Sequence, residues 1–201
     1  GAIHPMKSKH LRPRLQLLPL LALLLVLCLT ACTPQASPAS QDETPESSPA
    51  QESQEPSSPQ GYTFDLPDGW QVSQDNDSLF LPPDYPENAS SINVVVSEKD
   101  PSFSSYDIDA LSQAFQTQLE ASYADTFNEA VEVTIETCAF TTVGELPAIR
   151  LVHSCTVGTV ALRQLQYVVD GDQTYTFTFT QCGDVDLFDA FETSAATIQI
   201  G

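Results

Sequence analysis

All 10 Phe, all 6 Tyr and the single Trp of this chain lie after Gln60. Large apolar side chains are what offset the conformational entropy of ordering a backbone. Residues 61–201 are therefore the part equipped to build a core, and they have the length of one domain. The 28 residues 33–60 hold 6 Pro, 7 Ser and 5 Gln, with no aromatic or branched aliphatic residue. A segment with so little to bury reads as a disordered tether. Its prolines favour extended conformations, so its reach lies between ~30 Å for a flexible coil and ~90 Å for a fully extended chain.

Ahead of the tether stand Lys7, Lys9, Arg12 and Arg14, with no acid before Cys32, and then an apolar run over residues 17–31 interrupted by Pro19. A basic stretch followed by a short apolar one is the layout of a secretory signal peptide. A spanning helix needs about 20 apolar residues, more than this run supplies. Met6 reads as the start, with residues 1–5 ahead of it. The run ends in Leu29-Thr30-Ala31-Cys32. These four residues resemble the lipobox of bacterial lipoproteins: an aliphatic residue, two small ones and the cysteine. The resemblance implies that the leader 1–31 is removed and that Cys32 carries a diacylglycerol as the first mature residue. Two acyl chains make a stable anchor where one gives only marginal binding. The implied location is the extracytoplasmic face of a bacterial membrane, and the long tether points to a Gram-positive cell surface.

Charge narrows the partners. The formal net charge is −20, and from Cys32 onward only Lys99, Arg150 and Arg163 stand against all 27 acids, a net −24. Without a basic patch, nucleic acid is not an expected partner. Docking directly on anionic headgroups is disfavoured for the same reason.

Along the domain, residues 62–66 alternate like a strand and stop at the turn Pro67-Asp68-Gly69-Trp70. Short strands are expected at 79–81 and 92–96. Ile108, Leu111, Phe115, Leu119 and Tyr123 then recur at three or four residues, the stripe of an amphipathic helix capped by Asp107 or Ser105. Strands follow at 131–135, at 148–157 after a turn over 144–147, and at 160–169. Asp170-Gly171 is a hairpin signal, and over 174–180 aromatics face one side and threonines the other. A short helix over 186–194, packing through Leu187, Phe188 and Phe191, and a strand at 198–200 close the chain. This pattern is an α+β domain with helices on an antiparallel sheet.

"YTFDLPDGW" at 62–70 resembles the opening strand and Pro-x-Gly-Trp turn of PsbP-like and DcrB-like domains. "YVVDGDQTYTFTFTQ" at 167–181 and "FDAFETSAATIQI" at 188–200 are similar to their final hairpin, helix and last strand. The resemblance covers most of 61–200 and departs at Thr197-Ile198-Gln199-Ile200, where a Ser-Phe pair is common. It implies an α-β-α sandwich. It also implies an accessory or binding role, since such domains share no catalytic residues.

The residues themselves offer little catalytic chemistry. The mature chain has one histidine, His153, and no G-x-S-x-G elbow. His153 and Cys155, two apart on a strand, share a face, so a Cys–His pair is conceivable; a structural histidine beside a disulfide cysteine is the plainer reading. Acids cluster at Asp75-Asn76-Asp77, Asp170-Gly171-Asp172 and Asp184-Val185-Asp186. None fits a calcium-loop motif, and turn and cap roles account for each. No zinc spacing and no phosphate-binding glycine loop is present, so no cofactor and no metal site is expected.

The three cysteines of the domain, Cys138, Cys155 and Cys182, pass with it into a compartment where disulfides form. With Leu146 and Pro147 at the centre of the first hairpin turn, Cys138 and Cys155 lie opposite each other. A Cys138–Cys155 bond is then expected, with Cys182 outside it, two strand spacings away. The expected division is a leader at 1–31, a lipidated Cys32 with its tether at 32–60, and the α+β domain at 61–201. The expected function is a membrane-anchored, non-catalytic binding or accessory lipoprotein, held by the lipid on Cys32 and meeting an envelope protein or small ligand. The alternative is a surface hydrolase or metal-dependent enzyme built from scattered acids.

Overall fold

The computed structural model describes residues 61–201. The lipobox, Cys32 and the tether lie outside the described residues.

Among the described residues nine strands and two helices follow one another, with a 3-10 turn at Phe103–Ser105 before the first helix. They are β1 (Tyr62–Thr63), β2 (Gln71–Val72), β3 (Leu79–Leu81), β4 (Ser91–Ser97), α1 (Ile108–Phe127), β5 (Val133–Val143), β6 (Leu146–Val157), β7 (Val160–Asp170), β8 (Thr174–Cys182), α2 (Phe188–Ala195) and β9 (Gln199–Ile200). Seven strands form an antiparallel sheet in the order β2-β3-β4-β8-β7-β6-β5, and β1 pairs with β9 in a separate ribbon. The expected antiparallel α+β architecture is the one observed.

The helices lie on opposite faces, and the period of two along each strand explains how. Phe177 and Phe179 of β8, Leu165 and Val169 of β7 and Ile92 and Val94 of β4 pack with Phe188, Phe191 and Ala195 of α2. Tyr62, Phe64 and Trp70 join the same cluster, so the opening strand and its turn roof this face. The alternate residues turn the other way: Ile149 and Leu151 of β6 and Val168 of β7 pack under Leu111 and Phe115 of α1. Further along α1, Leu119 and Tyr123 meet Val133, Cys155 and Leu162. These are the stripe residues read from the sequence. Asp107 caps α1 by accepting a hydrogen bond from the Ala110 N–H at 2.8 Å. Ser105 takes no part in the cap; it closes the preceding 3-10 turn by donating to the Ser102 carbonyl.

The β5–β6 hairpin differs from the expectation. Strand β5 runs on to Val143, carried by the β-branched stretch Thr141-Thr142-Val143. Val143 opposes Leu146, so the turn centre is Gly144-Glu145. Gly144 has φ +58°, as a two-residue hairpin with glycine first favours, and Gly158 does the same at φ +59° between β6 and β7. A bulge between Ile135 and Thr137 shifts the register again. Cys138 therefore lies opposite Leu151, and Cys155 opposite Val133. Four residues of strand separate Cys155 from the position facing Cys138, about 13 Å at ~3.3 Å per residue, far beyond disulfide reach. The expected Cys138–Cys155 pairing is overturned by this register.

Candidate functional site

On the face that carries α1, the sheet is apolar only where the helix covers it. Across β4, β8 and β7 it becomes a stripe of neutral polar side chains. Asn93 opposes Thr178, which opposes Gln166. In the next row Ser91 opposes Thr180, which opposes Gln164, which opposes His153. All seven are buried, Asn93 at 5% and Gln166 at 0% exposure. The threonines seen in the sequence as one face of β8 are thus an interior face.

Hydrogen bonds run along part of this stripe. Gln164 Nε2 donates to Thr180 Oγ1 at 3.0 Å, and Gln166 Nε2 donates to Gln164 Oε1 at 3.3 Å. The chain stops there: Gln166 Oε1 and both amide atoms of Asn93 are buried with no hydrogen-bond partner. Each buried unsatisfied polar group costs ~1–3 kcal/mol, so a row of them is not a neutral feature of a core. Sequence reading missed this stripe. Its trace was there in Gln164 and Gln166, two amides spaced by two in a strand otherwise apolar enough for both faces.

His153 borders the stripe. It is buried, its Nε2 lies 3.3 Å from the Tyr123 hydroxyl, and its Nδ1 is unpartnered. Burial pushes its pKa down to about 4, with the charge of Glu136 pulling weakly the other way. It is held neutral at ordinary pH. His153 and Cys155 do share a face, as expected from their spacing, but the ring is turned to Tyr123 of α1.

The opposite face has an open groove of about 580 Å³ at the β5–β6 end, bordered by Glu132, Thr134, Glu136, Ser154, Arg163 and Gln181. Arg163 is fixed there. Its Nε and Nη2 donate to the Glu136 carboxylate at 2.6–3.1 Å, and its guanidinium sits 3.6 Å over the Phe188 ring. That bidentate pairing holds the Glu136 carboxyl below the usual carboxylate range. The groove's cation is already neutralised by its own neighbour. The other two bases of the domain are paired likewise, Lys99 with Asp170 at 3.2 Å and Arg150 with Glu192.

Two of the three acid clusters make local turn bonds. Asn76 Oδ1 accepts from the Ser78 N–H, and Asp172 Oδ1 accepts from the Tyr175 hydroxyl at 2.7 Å and from the Gln173 N–H. Among the described residues no group of three or more His, Cys, Asp or Glu is placed to hold a metal ion. Among them, likewise, no helix is long and apolar enough to cross a membrane.

No protein-family model and no curated protein sequence matches the chain. Solved structures do. The solution structure of cyanobacterial PsbP (CyanoP) from Synechocystis sp. PCC 6803 superposes with a TM-score of 0.51 at 16% identity, covering 71% of this chain and 88% of that one. A crystal structure from Bacteroides thetaiotaomicron gives 0.40 at 14% identity, over 70% of this chain and 45% of that one. The crystal structure of LpqN, involved in cell envelope biogenesis of Mycobacterium tuberculosis, gives 0.44 at 12% identity over 72% and 87%. At such identities a likeness is one of architecture alone, and the architecture shared with the cyanobacterial protein is the PsbP-like α-β-α sandwich.

Proposed function

We propose that this protein is a lipid-anchored lipoprotein of a bacterial cell envelope whose PsbP-like domain is a non-catalytic binding or accessory module. The observation that carries the binding role is the buried stripe that holds Asn93 and Gln166: both Asn93 amide atoms and Gln166 Oε1 lack partners within the domain. Orphaned interior amides call for a partner, and a ligand that arrives from outside is the one this reading assigns them. The only histidine of the domain is neutral and turned to a tyrosine, so it makes no nucleophile–base pair with Cys155. The domain's cations are engaged in ion pairs, which disfavours polyanions as partners.

The anchor rests on the sequence around Leu29-Thr30-Ala31-Cys32, and the tether on residues 33–60. Metabolic labelling with radioactive palmitate tests the first: wild type takes up label and Cys32→Ser does not. Label retained by Cys32→Ser, or absent from wild type, overturns the anchor. Limited proteolysis tests the second, with cleavage expected within 33–60 and a resistant core beginning near Gly61. Capture from envelope extract by the intact lipidated protein tests the binding role. A component retained by wild type and lost in Asn93→Leu supports it, and retention of nothing overturns it.

A further inference from the structure

The stripe on the α1 face has a definite chemical character. We infer that it is a binding site for an uncharged, hydroxyl-rich ligand, a neutral saccharide, held between Asn93 and Gln166 across Thr178. The inference rests on the binding role proposed above and names the ligand class of that site.

The donor and acceptor set is the first argument. Asn93 presents an unpaired amide donor and an unpaired carbonyl acceptor, and Gln166 presents an unpaired carbonyl acceptor. A hydroxyl group both donates and accepts, so neighbouring hydroxyls on one molecule satisfy such a mixed set. A carboxylate or phosphate, which only accepts, leaves the two carbonyl oxygens facing it unpaired.

The second argument is charge. Asn93, Thr178, Gln166, Thr180, Gln164 and Ser91 are all neutral. A charged ligand buried among them lacks a counter-charge and bears the full cost of desolvation. The bases of the domain are already paired: Lys99 with Asp170, donating also to the Gly171 carbonyl at 2.6 Å, Arg150 with Glu192 and Arg163 with Glu136. Anions are further opposed by a net charge of −24 from Cys32 onward.

Geometry is the third. The stripe runs across the strands, so Asn93, Thr178 and Gln166 follow one another at the strand spacing of ~4.8 Å. An extended peptide joins a sheet at its edge and along a strand direction. Here β4, β8 and β7 are interior strands with both neighbours in place. A row of side chains perpendicular to the strands instead addresses successive groups on a compact ligand.

The test uses the lipidated protein in a non-glycosidic detergent, with cellobiose, maltose and N,N′-diacetylchitobiose as neutral probes and glucose 6-phosphate as the charged one. Side-chain amide NMR signals of Asn93 and Gln166 are followed during titration. At least one neutral disaccharide is expected to shift both signals. Asn93→Leu and Gln166→Leu are expected to weaken its binding about tenfold or more, the loss of one good hydrogen-bonded contact. The melting temperature of Asn93→Leu, whose lost amide atoms are both orphaned, is expected to hold or rise, so lost binding in that variant cannot be assigned to unfolding. Gln166→Leu also removes the bond to Gln164 Oε1, and its own melting temperature separates the two effects. Equal or stronger binding of glucose 6-phosphate overturns the inference. So does a lack of response to all three disaccharides, or unchanged affinity in both variants. An envelope component captured by a protein that binds none of these sugars sinks the saccharide and leaves the binding role standing.

Discussion

The His153 ring meets the Tyr123 hydroxyl beneath α1, Nε2 to oxygen at 3.3 Å, and both side chains are buried. The contact ties the helix to β6 through a ring that stays neutral in the fold.

Its consequence is a dependence on acid. The folded pKa is about 4, below the ordinary 6.5 of the unfolded chain. Between those values the unfolded state binds a proton that the folded state refuses. Stability therefore falls as pH drops from 6.5 to 4, by up to roughly 3 kcal/mol, and this contribution levels off below. Urea unfolding at intervals from pH 7 to 4 should show a shallower acid slope in His153→Gln than in wild type. Parallel slopes mean that His153 is not the group being titrated.

The cysteines give a second outcome. Cys138 faces Leu151 rather than Cys155, so non-reducing peptide mapping should recover no Cys138–Cys155 peptide. Burial pushes the Cys138 thiol up to about 11, so at pH 8 it should react with iodoacetamide far more slowly than a small free thiol. A recovered Cys138–Cys155 peptide means that β5 and β6 pair in another register.

That register shows where sequence reasoning stops. Elements were legible wherever period and burial agree, as in the α1 stripe from Leu111 to Tyr123 or the alternation of Tyr175, Phe177 and Phe179. The turn was misplaced because Pro147 looks like punctuation. It sits in β6 opposite Thr142, ahead of the first residue that β6 pairs with β7, where its missing N–H breaks no ladder to that neighbour. The bulge at Ile135/Thr137 left no composition signal at all. The polar stripe was hidden for a different reason. Threonine on one face of a strand reads as solvent-facing, and only the assembled sheet shows that Thr176, Thr178 and Thr180 are interior. Arg163 and Glu136, 27 residues apart, likewise became partners only through the strand order.

Arg163 joins three elements, stacking on Phe188 of α2 while pairing with Glu136 of β5 from its place on β7. Lysine keeps the charge but loses the planar fork and the stack. Arg163→Lys should lose about 1 kcal/mol of unfolding free energy, with the discount due to a partly exposed pair. In Arg163→Gln the Glu136 carboxyl should titrate higher than in wild type, because its lowering comes first from the Arg163 hydrogen bonds. An NMR titration of Glu136 in both proteins checks this; an unmoved midpoint means that the pair does not form in solution.

The opposite core layer has a built-in reporter. Trp70, the only tryptophan, lies edge-on to Phe191 with ring centroids 5.7 Å apart, and Phe191 in turn tilts against Phe179 at 5.6 Å. Phe191 is fully buried, so it joins α2, the sheet and the Trp70 turn at one point. Removing its ring takes away apolar burial and leaves a cavity that a helix of 8 residues, tied down at both ends by β8 and β9, has little freedom to close. Phe191→Ala should therefore cost ~3–5 kcal/mol, a large share of the ~5–15 kcal/mol by which a domain is ordinarily stable. Phe191→Leu fills most of the space and should cost clearly less. Trp70 emission separates this packing from a general loosening: it should shift in native Phe191→Ala at low denaturant and stay put in Leu111→Ala, whose cavity opens under α1 on the far side of the sheet. A Phe191→Ala protein of near wild-type stability, with unshifted Trp70 emission, means that α2 does not pack on the Trp70 turn.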